Sequence, residues 1–325
     1  MKRASDATNR LRRRLIPLLF ALAVASCAPS YTLVTAGPEE AVRNETFQYR
    51  KWARPGVEPD TVVIALHGFC GASIDYENLA AHLLRHQPRT AVYAYELRGQ
   101  GRDPMKERRG DIDDPANWSR DLHAFTDLVR GEHPDAALVW FGESMGALIL
   151  SNTYREDVLA GRNPPCDAIG LTSPVVTFRE DFPEWKKELV RGVAKLAPRA
   201  RVTLDALSGG QDVQMTADSF HSEQSQTNAW HIEEHTLRLL AALGDMIDDM
   251  DDCAATFAVP TLVLHGGKDF FTSADDVKAF AGHIPDDTPS RRQFYPEGHH
   301  LLMYDEVNEE MFDDVSDWLA GLEAK

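Results

Sequence analysis

The sequence has few cysteines, a deficit of basic charge and no long apolar run. Four of its 325 residues are cysteines, and 34 lysines and arginines stand against 51 aspartates and glutamates. So few cysteines in so long a chain exclude a small disulfide-stapled fold, and we expect Cys70, Cys166 and Cys253 to be buried free thiols, with Cys166–Cys253 as one possible bridge. The net charge of -17 argues against a nucleic-acid partner, which requires basic surface.

No apolar run approaches the roughly 20 residues that cross a bilayer. The longest is the twelve-residue segment Leu15–Ser26, which follows a basic head. A basic head before a short apolar run is the pattern of a secretory signal peptide. The run ends in Val24-Ala25-Ser26-Cys27, which resembles the lipobox of bacterial lipoproteins. We therefore predict a signal peptide over 1–26, lipidation of Cys27, a lipid-anchored tether over 27–45 and a place on a membrane of the bacterial cell envelope. The alternative is an ordinary signal peptide cut nearby.

Short apolar strands alternate with amphipathic helices along the rest of the chain. Strands are predicted at 61–66, 91–95, 137–141, 168–171 and 261–264, and helices at 74–86, 118–131, 145–157, 232–247, 273–283 and 306–323. Strands that are apolar on both faces are typical of a parallel sheet covered by helices on both sides. The alternation predicts an α/β fold with a mostly parallel central sheet.

One long insertion interrupts this alternation. More than 80 residues separate the strand near 168–176 from the strand at 261–266, far more than a crossover helix needs. We predict a helical cap over 177–231, inserted after the sixth strand, and a core over 46–176 and 232–325. Within the cap, the basic amphipathic stretch 184–201 predicts a lid helix with its apolar side over the pocket. The alternative is a helix that lies on an anionic membrane.

The most specific motif is the pentapeptide Gly142-Glu143-Ser144-Met145-Gly146. It lies between the apolar strand ALVWF and a helical run. A G-x-S-x-G turn between a strand and a helix presents the serine hydroxyl at a helix N-terminus, where unpaired N–H groups stabilise an oxyanion. The context predicts Ser144 as a nucleophile.

A serine nucleophile needs a base and an acid that orients the base. In this architecture the acid precedes the histidine in the chain. Asp269 follows the strand TLVLHG, and His300 follows a later predicted strand. We predict Asp269 and His300 in these roles and keep the adjacent His299 as the alternative base. A metal site at the histidine pair is disfavoured, because neighbouring residues seldom chelate one ion.

The oxyanion hole requires two backbone donors. The residue after the nucleophile, Met145, supplies one, and the loop after the strand TVVIAL supplies the other. In that loop, His67-Gly68-Phe69-Cys70-Gly71, we predict the Phe69 N–H as the donor and a structural role for His67.

These segments together resemble the α/β-hydrolase superfamily, and within it the monoglyceride-lipase and lysophospholipase branch, which shares a family with serine aminopeptidases. The matching segments are HGFCGASIDYENLAAHL, ELRGQGRD, FGESMGA, PTLVLHGGKD and YPEGHHLLMYDE. The resemblance implies a serine hydrolase without a cofactor, and it assigns the triad and the oxyanion hole to the residues named above. The sequence departs from the family at Glu96, Gln100 and Cys70.

Three functions are compatible with these residues. The first is a serine esterase whose small-molecule substrates are carboxylic esters of acyl lipids with a medium or long acyl chain, of the monoacylglycerol or lysophospholipid type, cleaved through an acyl-enzyme. The second is an aminopeptidase or amidase on the same triad, for which Asp212, Asp218 or Glu223 of the cap would hold the substrate amine. The third is a non-catalytic envelope lipoprotein that uses a hydrolase fold as a binding module.

Overall fold

The structure is built around an eight-stranded sheet. The computed structural model describes residues 31–39, 45–178, 184–203 and 212–323. The strands in chain order are β1 (Tyr31–Glu39), β2 (Glu45–Trp52), β3 (Thr61–Leu66), β4 (Thr90–Tyr95), β5 (Ala137–Glu143), β6 (Ala168–Thr172), β7 (Arg201–Thr203), β8 (Gln214–Thr216), β9 (Ser219–Phe220), β10 (Glu234–Thr236), β11 (Thr261–Gly266) and β12 (Ser290–Tyr295). The sheet order is β1-β2-β4-β3-β5-β6-β11-β12. The strands from β4 to β12 in that order are parallel to one another. At the other edge, β2 pairs antiparallel with β4, and β1 pairs antiparallel with β2.

Helices cover both faces of this sheet. They are α1 (Glu77–His86), α2 (Ala116–Glu132), α3 (Met145–Leu159), α4 (Glu184–Leu196), α5 (His221–Thr227), α6 (Leu237–Asp248), α7 (Met250–Ala254), α8 (Ala274–Ala281) and α9 (Asn308–Glu323). In β3, Val62, Ile64 and Leu66 pack into one hydrophobic cluster, and Val63 and Ala65 pack into the other. The strand is apolar throughout because successive side chains enter cores on opposite faces. The predicted α/β-hydrolase fold is confirmed.

Two predicted boundaries are wrong. The tether predicted over 27–45 contains an edge strand, since Tyr31–Glu39 pairs antiparallel with β2. The helix predicted at 232–247 begins at Leu237. The preceding residues form β10, which pairs with β7. Thr236 then caps the helix, as its hydroxyl accepts a hydrogen bond from the Leu239 N–H at 3.3 Å.

The cap segment after β6 contains helices α4 and α5 together with short strands. In α4 the apolar side chains face outward: Trp185 is 63% exposed, Leu189 55% and Leu196 89%. The basic side chains point to α6, where Lys187 pairs with Asp248 at 3.1 Å and Arg191 pairs with Asp245 at 2.9 Å. The prediction that the apolar side of this helix covers the pocket is therefore wrong, because ion pairs with the acidic α6 fix the opposite face inward.

The N-terminal predictions lie outside the described residues. The signal segment 1–26 and Cys27 belong to the part of the chain that the structure does not describe. In the part that it does describe, no helix combines the length and the apolar character needed to span a membrane. Cys70, Cys166 and Cys253 are free and buried.

Candidate active site

Ser144 lies at the turn between β5 and α3 with an unusual backbone. Its φ is 50° and its ψ is -111°, a region that residues with a side chain rarely adopt. Such strain costs of order 1–3 kcal/mol and persists only where the surrounding structure enforces it. Here a parallel strand ends and a helix begins within one residue, so the hydroxyl is held at the helix N-terminus.

The two glycines of the pentapeptide permit this turn. A Cβ at Gly146 would lie 2.0 Å from the Leu66 carbonyl oxygen, and a Cβ at Gly142 would lie 2.5 Å from the Ala147 nitrogen. Both approaches are to backbone atoms, which cannot move aside. Glycine is therefore required at Gly146 for the helix to pack against β3, and at Gly142 for the chain to turn back into the first residues of the helix.

Three side chains from three distant segments meet at this turn. His300 Nε2 lies 2.9 Å from Ser144 Oγ, and His300 Nδ1 lies 2.8 Å from Asp269 Oδ2. Asp269 follows β11 and His300 follows β12, so the carboxyl ends of neighbouring parallel strands bring them together. The side chains of both are buried. The structure thus brings together the three residues predicted as nucleophile, acid and base.

Burial and the mutual attraction of Asp269 and His300 shift the pKa of each group in opposite directions. Burial alone lowers the pKa of His300, but the charge of Asp269 and its hydrogen bond outweigh burial, and the pKa is raised. Burial alone raises the pKa of the Asp269 carboxyl, and the attraction of His300 lowers it overall. The arrangement therefore favours an ionised carboxylate that stabilises a protonated imidazole.

His299, the alternative base, lies away from the serine. Its Nδ1 lies 3.0 Å from Asp305 Oδ2, and Asp305 also accepts a hydrogen bond from the Ala217 N–H at 2.7 Å. The adjacent histidines point in different directions, and the structure brings only His300 to Ser144.

The two residues predicted as oxyanion donors line the cavity of Ser144. Met145 is the first residue of α3, so its N–H belongs to the first helical turn, where the backbone donors lack helical acceptors. Phe69 lies in the loop after β3, and its ring packs on the His235 ring with 4.2 Å between centroids. Both residues line the same cavity as Ser144. The structure therefore brings both residues predicted as donors to the cavity that Ser144 lines.

Residues of the turn after β4 hold this loop in place. Gln100 Oε1 accepts the Cys70 N–H at 3.0 Å, and Cys70 has a φ of 57°. The His67 Nδ1–H donates to the Gly68 carbonyl at 2.9 Å, and His67 Nε2 accepts the Leu97 N–H at 3.0 Å. Gln100 was recognised in the sequence only as a departure from the family. Its contact with the oxyanion loop joins residues 30 positions apart in the chain and could be found only in the folded structure.

A cavity of about 730 Å³ opens beside the serine. Most of its wall is apolar and comes from α3, α6 and the cap, including Leu148, Val213, Met215, Leu243 and Ile247. A cavity of this size and polarity is typical of a small-molecule site. Cys70 also lines it, and burial raises the pKa of that thiol to about 12, so the thiol stays protonated.

Two carboxyl groups that sequence analysis did not single out also line the cavity. Glu143 is the residue before the nucleophile, and Asp75 lies in the 3-10 helix Ser73–Tyr76. Glu143 is 2% exposed, and its Oε1 has no hydrogen-bond partner among the described residues. Its position inside the pentapeptide was the available signal.

The cap carboxylates considered for an amine site lie elsewhere. Asp212 accepts the Ser222 hydroxyl at 2.6 Å, and Glu223 accepts the Phe220 N–H at 3.2 Å. None of Asp212, Asp218 and Glu223 is among the described residues that line the cavity. Within the described ranges, no cluster of three or more His, Cys, Asp or Glu side chains is arranged to hold a metal ion.

Solved structures share this fold. Monoglyceride lipase from Saccharomyces cerevisiae, a soluble variant with a substrate analogue, matches with a TM-score of 0.74 at 18% identity over 91% of this chain and 96% of its own. A carboxyl esterase from Bacillus coagulans, with glycerol, gives 0.73 at 14% identity over 90% and 99%. Monoacylglycerol lipase from Paleococcus ferrophilus gives 0.68 at 17% identity over 85% and 99%. At such identities the likeness shows a common fold.

Sequence comparison is more specific. No sequence relative was found among curated proteins. The sequence model of the family described as serine aminopeptidase, S33, matches residues 57–307, which is more than half of the chain and includes all three residues of the hydrogen-bonded set. Ser144, Asp269 and His300 thus lie inside the matched range, on the fold described above, and the protein belongs to the serine aminopeptidase S33 family of α/β hydrolases.

Proposed function

We propose that the protein is a serine hydrolase that cleaves carboxylic esters of acyl lipids, of the monoacylglycerol or lysophospholipid type, through an acyl-enzyme. The observation that carries the proposal is the continuous hydrogen-bonded set from Ser144 through His300 to Asp269 beside a large apolar cavity. The apolar wall suits an acyl chain, and the serine lies where the ester carbonyl would meet it.

The geometry supports the following steps. His300 Nε2 takes the proton of the Ser144 hydroxyl as the oxygen attacks the ester carbonyl. The N–H groups of Phe69 and Met145 stabilise the negative oxygen that forms. His300 then protonates the departing alcohol, and water releases the acid by the same route in reverse. Asp269 keeps Nδ1 protonated and stabilises the imidazolium.

The test compares two serines of one segment. Ser144→Ala should lower the turnover of a p-nitrophenyl ester by several powers of ten and should abolish labelling by a fluorophosphonate probe. Ser151→Ala is the matched control, because Ser151 is buried on α3 and its hydroxyl has no partner in the described structure. Wild-type turnover in folded Ser144→Ala would overturn the proposal, and full loss in Ser151→Ala would show that the assay reports folding instead.

We also propose that Cys27 anchors the protein to a membrane of the cell envelope. The support is in the sequence, where a basic head, a twelve-residue apolar run and Val24-Ala25-Ser26-Cys27 follow one another. Two or more acyl chains give stable attachment where one is marginal. Cys27→Ser should release the protein to the soluble fraction or stop its processing, with activity on a short ester kept. A wild-type mature chain without acyl mass at Cys27 would contradict this.

A further inference from the structure

The loop that carries Phe69 contains a backbone conformation that its sequence does not favour. The Gly71 N–H donates to the Gly68 carbonyl at 3.0 Å and closes a four-residue turn, with Phe69 and Cys70 at its centre. Cys70 has a φ of 57°, in the left-handed region that glycine adopts readily and a residue with a Cβ does not. A cysteine at this position therefore needs contacts that offset the cost of its conformation.

A distant part of the chain supplies such contacts. They come from residues 228–236, which include β10 and are named here the β10 segment. The Asn228 side-chain amide donates to the Cys70 carbonyl at 3.3 Å. Cys70 Sγ lies 3.7 Å from His235 Nε2 and 3.9 Å from the Ile232 carbonyl oxygen, which are distances of weak sulfur hydrogen bonds. The β10 segment therefore holds both the thiol and the carbonyl of Cys70.

His235 contacts both central residues of the turn. Besides its contact with Cys70, its ring lies 4.2 Å from the Phe69 ring, centroid to centroid. His235 is 0% exposed, and burial, with the charge of His231 second, lowers its pKa to about 3, so the imidazole is neutral. His235 is not among the described residues that line the cavity. Its contacts are therefore with the turn and not with a ligand.

Hydrogen bonds fix β10 in place, so His235 has a firm support. The Thr236 N–H donates to the Gly110 carbonyl at 2.8 Å, and the Thr236 hydroxyl donates to Asp111 at 2.7 Å. On its other side, β10 pairs with β7 over three residues. A side chain on a fixed strand positions its neighbours more precisely than a side chain on a loop does.

We propose that His235 is a positioning residue of the oxyanion hole, which fixes the Phe69 N–H through the Phe69 ring and the Cys70 thiol. The proposal rests on the serine esterase function proposed above, in which the Phe69 N–H stabilises the negative oxygen that forms on the ester. An oxyanion donor acts mainly in the transition state. His235 therefore contributes to kcat and not to the binding of the ester.

The first experiment measures kcat and KM of the full-length protein for a p-nitrophenyl ester. His235→Ala should lower kcat by about tenfold or more, since loss of a whole oxyanion donor costs about 100- to 1,000-fold, and should change KM little. His82→Ala is the matched control, because His82 is also buried but packs on the Phe312 ring and is not among the described cavity residues. Wild-type kcat in folded His235→Ala, or an equal loss in folded His82→Ala, overturns the proposal.

A second variant separates this role from the geometry of the turn. Cys70→Gly suits the positive φ better than cysteine does and removes only the thiol. If the turn alone mattered, kcat would be kept or raised, whereas the proposal requires it to fall. In the double variant with His235→Ala, the loss should be smaller than the product of the two single losses, because both changes break the same contact. A kcat at or above the wild-type value in Cys70→Gly overturns the proposal.

A transition-state analogue gives a readout that reports the oxyanion hole directly. Ser144 Oγ adds to the carbonyl carbon of an alkyl trifluoromethyl ketone, the hydroxyl proton passes to His300, and the former carbonyl oxygen becomes the oxyanion. The inhibition constant should rise in His235→Ala by the factor by which kcat/KM falls, and should stay at the wild-type value in His82→Ala. An inhibition constant unchanged in His235→Ala overturns the proposal.

Thiol labelling separates this inference from the proposed function, since it needs no turnover. Iodoacetamide alkylates Cys70 with loss of iodide, and peptide mass spectrometry follows each cysteine. In His235→Ala, Cys70 should react several times faster than in the wild type, while Cys166, which is also free and buried, should keep its rate. If no ester is cleaved and the fluorophosphonate probe does not label Ser144, the esterase proposal fails, and the labelling still judges the contact. Equal Cys70 rates in the two proteins overturn the positioning role, whatever the esterase result.

Discussion

The adjacent histidines after β12 contact different acids, and this separates their roles. His300→Ala removes the group 2.9 Å from the Ser144 hydroxyl and should lower kcat by several powers of ten. His299→Ala removes a buried contact with Asp305, so we expect most activity to remain and the free energy of unfolding to fall by about 1–3 kcal/mol. Ester turnover and chemical denaturation of both variants check this. The reverse pattern of activity would assign the base to His299.

The raised pKa of His300 sets the acid limb of the pH profile. The base must be neutral to accept the Ser144 proton, so kcat/KM should increase as pH rises through the pKa of His300. Because that pKa is raised, the midpoint should lie above the ordinary histidine value of about 6.5. Asp269→Asn removes the carboxylate charge, and its residual activity should show the midpoint moved to lower pH. A midpoint unmoved between the two proteins would mean that a different group titrates.

The oxyanion loop after β3 depends on one side chain from the next turn. Gln100→Ala removes the acceptor of the Cys70 N–H and leaves the loop free to shift. Oxyanion donors act mainly in the transition state, so kcat should fall by about tenfold or more with little change in KM. Gln87→Ala is the control, because Gln87 bonds Ser316 at 3.0 Å on a distant helix. A changed KM with an unchanged kcat would argue that Gln100 affects substrate binding only.

An element can be predicted from the sequence when the residues that define it are neighbours in the chain, and not when it is defined by contact with a distant segment. Ser144 and its glycines could be assigned because strand, turn and helix are adjacent in the chain. The start of α6 could not, because β10 is defined by pairing with β7, about 30 residues earlier in the chain. The orientation of α4 was also beyond prediction. Its amphipathic pattern shows two faces, but the acids of α6 decide which face turns inward.

At the scale of the molecule, one carboxylate joins the start of α6 to the segment after β4. Asp111 follows the turn after β4, and it accepts the Thr236 hydroxyl at 2.7 Å and the Arg238 guanidinium at 2.6 Å. Asp111→Ala should lower the free energy of unfolding by about 1–3 kcal/mol, since it leaves Arg238 without that partner. Asp127→Ala, at an exposed site on α2, is the control. Equal thermal midpoints for the two variants would show that this joint contributes nothing measurable.

The distance along the chain between nucleophile and base has a consequence for synthesis. Ser144 and His300 are 156 residues apart, so a ribosome adding roughly 5–20 residues per second needs about 8–30 s between them. During that time the serine is an ordinary hydroxyl without a proton acceptor. Because Asp269 follows β11 and His300 follows β12, the hydrogen-bonded set of three side chains can form only after the last strand of the sheet has been made.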